Sequence, residues 1–450
     1  MTECKQSTLP YKEFEDMPLF KGANANFNLL SGILKHGFEK PSAIQKKIIV
    51  PISQGCNVIA QSQSGTGKTG SFVIGSLARL DPTLEQVQII IMAHTHELAE
   101  QIYAVMQSIG SDLINPDKVE LCVGKRISVD DNIIHINKGS QVLVGTPGRI
   151  RDLVFRTMHR KDQMLINPKY VKTVILDEAD RLLSKKFYNE IVDIVEKLEN
   201  PQLRKQGDLL QICIFSATLP DEEKDALDRA RLLCVPDKED QEDRGTNWRL
   251  DPRAPVEILV PVPELSLEGI EQFYYQFDCP NPRDVFRSKV ELIQALHEES
   301  VIAQCIIYVN NQDTAVRLQS ELNNSELNSQ CIYGRMMPKE RISIINSFRK
   351  CVTRILISTD LLARGFDVQQ VSMVINFDLP YVTDRNTGGV DQDKMAEYLH
   401  RIGRSGRFGR KGLALNLIAT PSEMSRLKAI EEHYETVIKE LPDDISILSS

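Results

Sequence analysis

The densest chemistry in this sequence is SQSGTGKT, residues 62 to 69, set between the apolar runs NVIAQ and SFVIGSLARL. Gly65 and Gly67 let successive backbone N–H groups turn toward one point, and the dipole of a following helix adds positive potential there. Such a loop cradles phosphates. Ser62, Gln63, Ser64, Gly65, Thr66 and Gly67 form its wall, Lys68 is placed to reach β and γ phosphates, and Thr69 is placed to ligate Mg²⁺. The general pattern has glycine where this chain has Ser62. A second cluster, TVILDEAD, ends an apolar run on Asp177 and Glu178. Asp177 suits Mg²⁺, and Glu178 beside it suits the orientation and deprotonation of an attacking water. A third, HRIGRSGRFGRKG, gathers Arg401, Arg404, Arg407 and Arg410. Arg404 and Arg407 are three apart, so on a helical turn both can reach one γ-phosphate as arginine fingers.

These groups need a scaffold that brings distant segments to one edge. Short β-branched runs alternate with longer amphipathic stretches: NVIAQ, QIIIMA, VELCV, QVLVG, TVILD and QICIFSA, then QCIIYVN, SQCIYG, RILIST, SMVINF and ALNLIA. Strands that are apolar on consecutive residues belong to parallel sheets covered on both faces, whose C-terminal edge binds ligands. A chain of 450 residues exceeds one ordinary core, so two doubly wound α/β domains are expected. The Pro-bearing segment VPVPELSLEG is the expected hinge, preceded by an acidic loop, PDKEDQEDRGTNWRLDPRAP. Another loop, YVTDRNTGGVDQDKM, is expected before EYLHRIGR. The divisions are thus residues 1–45 as an N-terminal segment, 46–260 as the nucleotide-binding domain, 261–268 as the hinge and 269–450 as the second domain.

Composition narrows the setting. With 42% hydrophobic and 26% charged residues the chain is globular, and a formal net charge of −8 excludes a uniformly basic nucleic-acid coat. Its apolar runs are too short to cross a bilayer and its opening is polar, so an intracellular, soluble protein is expected. Nine cysteines without a Cys-x-x-Cys pair read as buried free thiols.

The ordered series GFEKPSAIQ, AQSQSGTGKT, GTPGR, DEAD, SAT, STDLLARGFD and HRIGRSGR is similar to the motifs of the DEAD-box ATP-dependent RNA helicases, over nearly the whole chain. Within that family, FEKPSAIQ, LSLEGIEQFYY and ELPDDISIL resemble translation initiation factor 4A, while Ser62 and the loop before EYLHRIGR resemble the helicase of nuclear mRNA export. The resemblance implies two tandem RecA-like domains that bind ATP-Mg²⁺ and single-stranded RNA across a cleft, hydrolyse ATP and locally unwind short duplexes. It assigns adenine to Gln45 and a stacking aromatic, Phe14 with Phe20 as competitor, and ribose to Asp367. It couples hydrolysis to closure through Ser216, Ala217, Thr218, Asp180 and His400, and gives RNA contacts to Thr95, Thr146, Gly148, Arg149, Arg341 and Thr359. It implies a protein scaffold as a further partner. The resemblance implies a cytoplasmic monomer, with nuclear or nuclear-pore association as the alternative, and an ATP-gated RNA clamp or mRNA-export and remodelling factor with little unwinding is the rival reading.

The chain departs from the family on the RNA side. The family's Pro-Thr-Arg-Glu-Leu-Ala is HTHELA, with His94 and His96; its Gly-Gly pair is Val123-Gly124; and Pro338 stands where glutamine is usual. Either these departures weaken the grip on RNA, with His96 charged only below an imidazole pKa near 6.5, or neighbouring contacts compensate for them.

Overall fold

The computed structural model describes residues 11–23, 25–62, 66–124, 126–158, 163–184, 186–200, 202–203, 209–216, 224–235, 253–259, 270–279, 281–299, 304–359, 371–381, 392–405 and 412–442. The chain divides into two compact units, Met1–Val260 and Pro261–Ser450.

In the first unit seven strands form one parallel sheet: β1 (Val58–Gln61), β2 (Ile89–Met92), β3 (Val119–Cys122), β4 (Val142–Gly145), β5 (Thr173–Leu176), β6 (Gln211–Ser216) and β7 (Val256–Ile258). They stand in the order β3-β4-β2-β5-β6-β1-β7. The consecutive apolar residues of each strand divide between two cores, as side chains alternate across a pleat. Ile89 and Ile91 enter one cluster with Val58 and Ala60, while Ile90 and Met92 enter the other with Ile59. Both faces are therefore covered by helices, and the long apolar runs need no further explanation.

The second unit repeats the arrangement with β8 (Ile270–Gln276), β9 (Cys305–Tyr308), β10 (Ser329–Ile332), β11 (Ile355–Ser358), β12 (Met373–Asn376), β13 (Gly412–Ile418) and β14 (Lys439–Glu440). Its order is β10-β11-β9-β12-β13-β8-β14, again parallel throughout. Counted from the first strand of each unit, the two orders are the same.

Helix starts are written locally. Ser42 and Gln45 form a capping box on the helix Ala43–Ser53, and Thr95 accepts from the Leu98 N–H to cap His96–Gly110. No helix among the described residues is long and apolar enough to cross a membrane. The hinge 261–268 and most of the acidic loop lie outside the described residues. Of the loop expected at 381–395, the part from Gln392 on is helical, within Gln392–Ile402. The thiol expectation also needs correction: Cys351 is exposed, Cys279 is half-buried, and Cys56 is disulfide-bonded, whereas Cys122, Cys213, Cys234, Cys305 and Cys331 are buried and free.

Candidate nucleotide and RNA sites

In the first unit β5, β6 and β1 are consecutive neighbours, so the loops leaving their C-terminal ends share one edge. The β1–β6 pairing runs past Gln61, with the Ser62 N–H donating to the Ser216 carbonyl at 3.1 Å. Gly67 then turns the chain through a left-handed conformation, φ 102°, into the helix Lys68–Leu77. Lys68 is buried and its ammonium donates to the Ser62 carbonyl. The Ser62 hydroxyl lies 2.6 Å from that of Thr66, a contact that glycine at this position lacks. Gln63, Ser64 and Gly65 lie outside the described residues.

Asp177 and Glu178 are both buried at the end of β5. Burial first, and the neighbouring Glu178 second, push the Asp177 carboxyl above the usual carboxylate range, against the opposing pull of Lys68. Glu178 occupies the left-handed region, φ 55°, and its Oε2 is buried with no hydrogen-bond partner among the described residues. A non-glycine residue held there stores strain, a pattern concentrated at functional sites. The Ser216 hydroxyl donates to Asp180 at 3.1 Å, which ties the end of β6 to the carboxylate turn. Ala217 and Thr218 lie outside the described residues.

The Gln45 side chain accepts from the Ser42 N–H at 2.8 Å and extends its amide toward the Gly67 carbonyl at 3.5 Å; the Ser42 hydroxyl donates to the Thr66 carbonyl at 2.7 Å. Gln45 thus backs the phosphate loop. The aromatic expectation is corrected. Phe14 is 0% exposed and Phe20 is also buried, both within the core, so neither ring offers a face. The ring beside Gln45 is Phe38: a Cβ built on Gly70 would meet Phe38 at 2.7 Å and Gln45 Nε2 at 2.8 Å. Phe38 is only partly buried. It opens the same GFEKPSAIQ motif that ends on Gln45, a proximity that could have singled it out from sequence.

On the expected RNA side, Thr95 and Thr146 precede helices that begin at the ends of β2 and β4. Thr146 makes no side-chain cap, and Gly148 is exposed at the start of the helix Pro147–Phe155. Arg149 donates through Nη1 to the Asn132 Oδ1 at 2.6 Å and the Ile127 carbonyl at 3.0 Å. His96 is the first residue of its helix, and Val123 is buried in the core. In the second unit Arg341 is buried on the helix Pro338–Arg349, and Thr359 follows β11. Pro338 begins that helix, where a missing N–H costs nothing, so the departure has a local reason.

Of the four arginines in the run, the two that lie within the described residues, Arg401 and Arg404, are not solvated. Arg401 is 0% exposed: it donates to the Asp378 carbonyl at 2.7 Å and the Asn310 Oδ1 at 3.0 Å, with its guanidinium 5.3 Å from the Tyr308 ring centre. Arg404 is also buried and donates through Nε to the His400 carbonyl at 3.3 Å; His400 is buried beside it. Asp367 and Arg407 lie outside the described residues.

A phosphate loop after the first strand, with acidic residues ending a neighbouring parallel strand, defines a nucleoside-triphosphate-hydrolysing α/β domain. The family model described as DEAD/DEAH box helicase matches residues 42–226, and that described as helicase conserved C-terminal domain matches residues 288–409. An ATP-dependent RNA helicase eIF4A of Chaetomium globosum is 38% identical over 434 residues, 96% of this chain and 95% of that protein. Eukaryotic initiation factor 4A-8 of Nicotiana tabacum is 40% identical over 421 residues, covering 94% and 88%. Among solved structures, S. cerevisiae Dbp5 bound to RNA and ADP BeF3 is 30% identical with a TM-score of 0.75, covering 98% of this chain and 100% of that one. The chain belongs to the DEAD-box RNA helicases.

Proposed function

We propose that this chain is an RNA-dependent ATPase that unwinds short RNA duplexes locally, serving translation initiation in the cytoplasm together with a protein scaffold. The observation that carries the reading is the meeting of Lys68, Asp177, Glu178 and Ser216 at the ends of three adjacent strands. The phosphates of ATP lie along residues 62–69 with Lys68 at the β and γ groups. Phe38, in place of Phe14, stacks on the face of the adenine whose edge Gln45 reads. Glu178 takes the proton of the attacking water, for which its partnerless buried oxygen is suited. Arg404 and Arg407 are assigned to the γ-phosphate, and Asp367 to the ribose.

The donor set fits a hard cation: a hydroxyl at Thr69 and a buried carboxyl at Asp177, all oxygen. Thr69 and Asp177 would hold Mg²⁺, which supplies charge neutralisation at the phosphate oxygens. RNA is gripped through backbone and small side chains at Thr95, Thr146, Gly148 and Thr359 and through the guanidinium groups of Arg149 and Arg341, which read phosphate and 2′-hydroxyl and little base identity.

Steady-state ATP hydrolysis with and without single-stranded RNA, with Lys68→Ala as blank, tests this. Strong stimulation by RNA and none by DNA is expected; turnover indifferent to RNA would overturn it.

A further inference from the structure

Arg149 lies half-buried at the start of the helix Pro147–Phe155 and is anchored by Nη1 alone. Its Nε and Nη2 have no partner among the described residues. Those two N–H groups form the side-on edge of a guanidinium, the edge that meets two phosphate oxygens in parallel.

The anchor is itself fixed. Asn132 is 0% exposed, and its Nδ2 donates to the Glu120 Oε1 at 2.5 Å and the Leu121 carbonyl at 3.0 Å, so its oxygen can only face Arg149. Glu120, on β3, is 6% exposed, and its second oxygen is 2.9 Å from the His135 Nδ1. Asn132 and His135 are three apart on the helix Val129–Asn137, so one helix face presents both to Glu120. A buried polar chain of this kind is costly unless complete, and this one is complete up to the guanidinium edge.

We infer that Glu120 and Asn132 are positioning residues that hold the Arg149 guanidinium as a side-on fork for one RNA backbone phosphate. The inference rests on the reading of Arg149 as an RNA contact. An arginine left free would spend rotamer entropy on each binding event; the relay removes that cost beforehand. Phosphate contacts set register and affinity without base specificity, so the relay governs how tightly RNA is held and not which RNA is chosen.

The test is the affinity of the full chain for fluorescently labelled single-stranded oligouridylate at saturating ADP-BeF3, with KM for RNA and kcat measured alongside. Arg149→Lys keeps the charge and loses the fork, and about a tenfold weaker affinity is expected. Asn132→Leu should weaken binding by a similar factor and raise KM for RNA while kcat at saturating RNA holds; combined with Arg149→Ala it should add nothing to that single change. Glu120→Gln, which retains an acceptor for Asn132, should bind near the parent level, and Glu120→Leu should not. Thermal melts identify any variant that fails to fold, in which case Arg149→Lys decides. Additive losses, an unaffected Asn132→Leu, or full affinity in Arg149→Lys would each overturn the relay while leaving Arg149 on RNA. Full affinity in Arg149→Ala would instead remove Arg149 from the RNA site, and the relay with it.

Discussion

Glu178 pays three penalties that a structural residue would avoid. Its backbone is left-handed at φ 55°, its Oε2 is buried without a partner among the described residues, and it stands next to the carboxylate of Asp177. A left-handed non-glycine costs about 1–2 kcal/mol, and a buried acceptor without a donor about 1–3 kcal/mol. In the proposed role of Glu178 these costs have a reason, since a water to be activated needs an acceptor with nothing else bound to it. Replacing Glu178 with Gln should therefore separate stability from activity. The charge beside Asp177 disappears, so the Asp177 carboxyl should fall back toward its ordinary range and the melting temperature should rise by about 2–4 °C. ATP turnover should fall at least about 100-fold, with ATP and RNA retained. A melting temperature that drops, or a turnover at the parent rate, would contradict the assignment of Glu178 as base.

The elements show where sequence suffices and where it does not. Runs such as QIIIMA and RILIST were legible as strands because burial on both faces makes every residue apolar, and β2 and β11 fall within them. The strand β8, IEQFYYQ, was not legible: buried Phe273 stands among polar and exposed residues, so no continuous apolar run marks it. β7 escaped notice through being three residues long. The placement of Lys68, Asp177 and Glu178 at a helix start and a strand end was legible because loop and strand-end motifs are local, but the burial of Phe14 and the partial exposure of Phe38 depended on which ring the tertiary core consumes. Close approach of elements is also invisible to pattern. The helix Phe27–Lys35 packs on His96–Gly110 through Gly32, where a Cβ would fall 1.9 Å from the Ile109 carbonyl oxygen. That neighbour is backbone and cannot turn aside, so Gly32→Ala must push the helices apart against the Ser31–Asp112 and Lys35–Asp112 contacts. The expected cost is about 1–3 kcal/mol, read as a lower urea midpoint. An unchanged midpoint would mean the helix pair is looser than its geometry.

At the scale of the whole molecule, each unit carries its own sheet in the same strand order and its own buried clusters. A core that closes within a unit gives that unit its own cooperative transition, so the full chain should melt with a calorimetric enthalpy larger than the van't Hoff value. The residues assigned to the phosphates and Mg²⁺ of ATP in the first unit are Lys68, Thr69 and Asp177, and Glu178 is assigned to the attacking water; all lie within Met1–Val260. ATP added without RNA should then raise the transition of that unit, by about 2.7 kcal/mol at 100 times its Kd, and move the other far less. The Lys68→Ala chain should show the same two transitions with the ATP response gone, because the loss is of a ligand contact and not of a core. A single transition that shifts as one body with ATP would mean that the two cores unfold together. In that case the nucleotide would act on the cooperative stability of the whole chain, and Lys68→Ala would abolish the shift of that one transition.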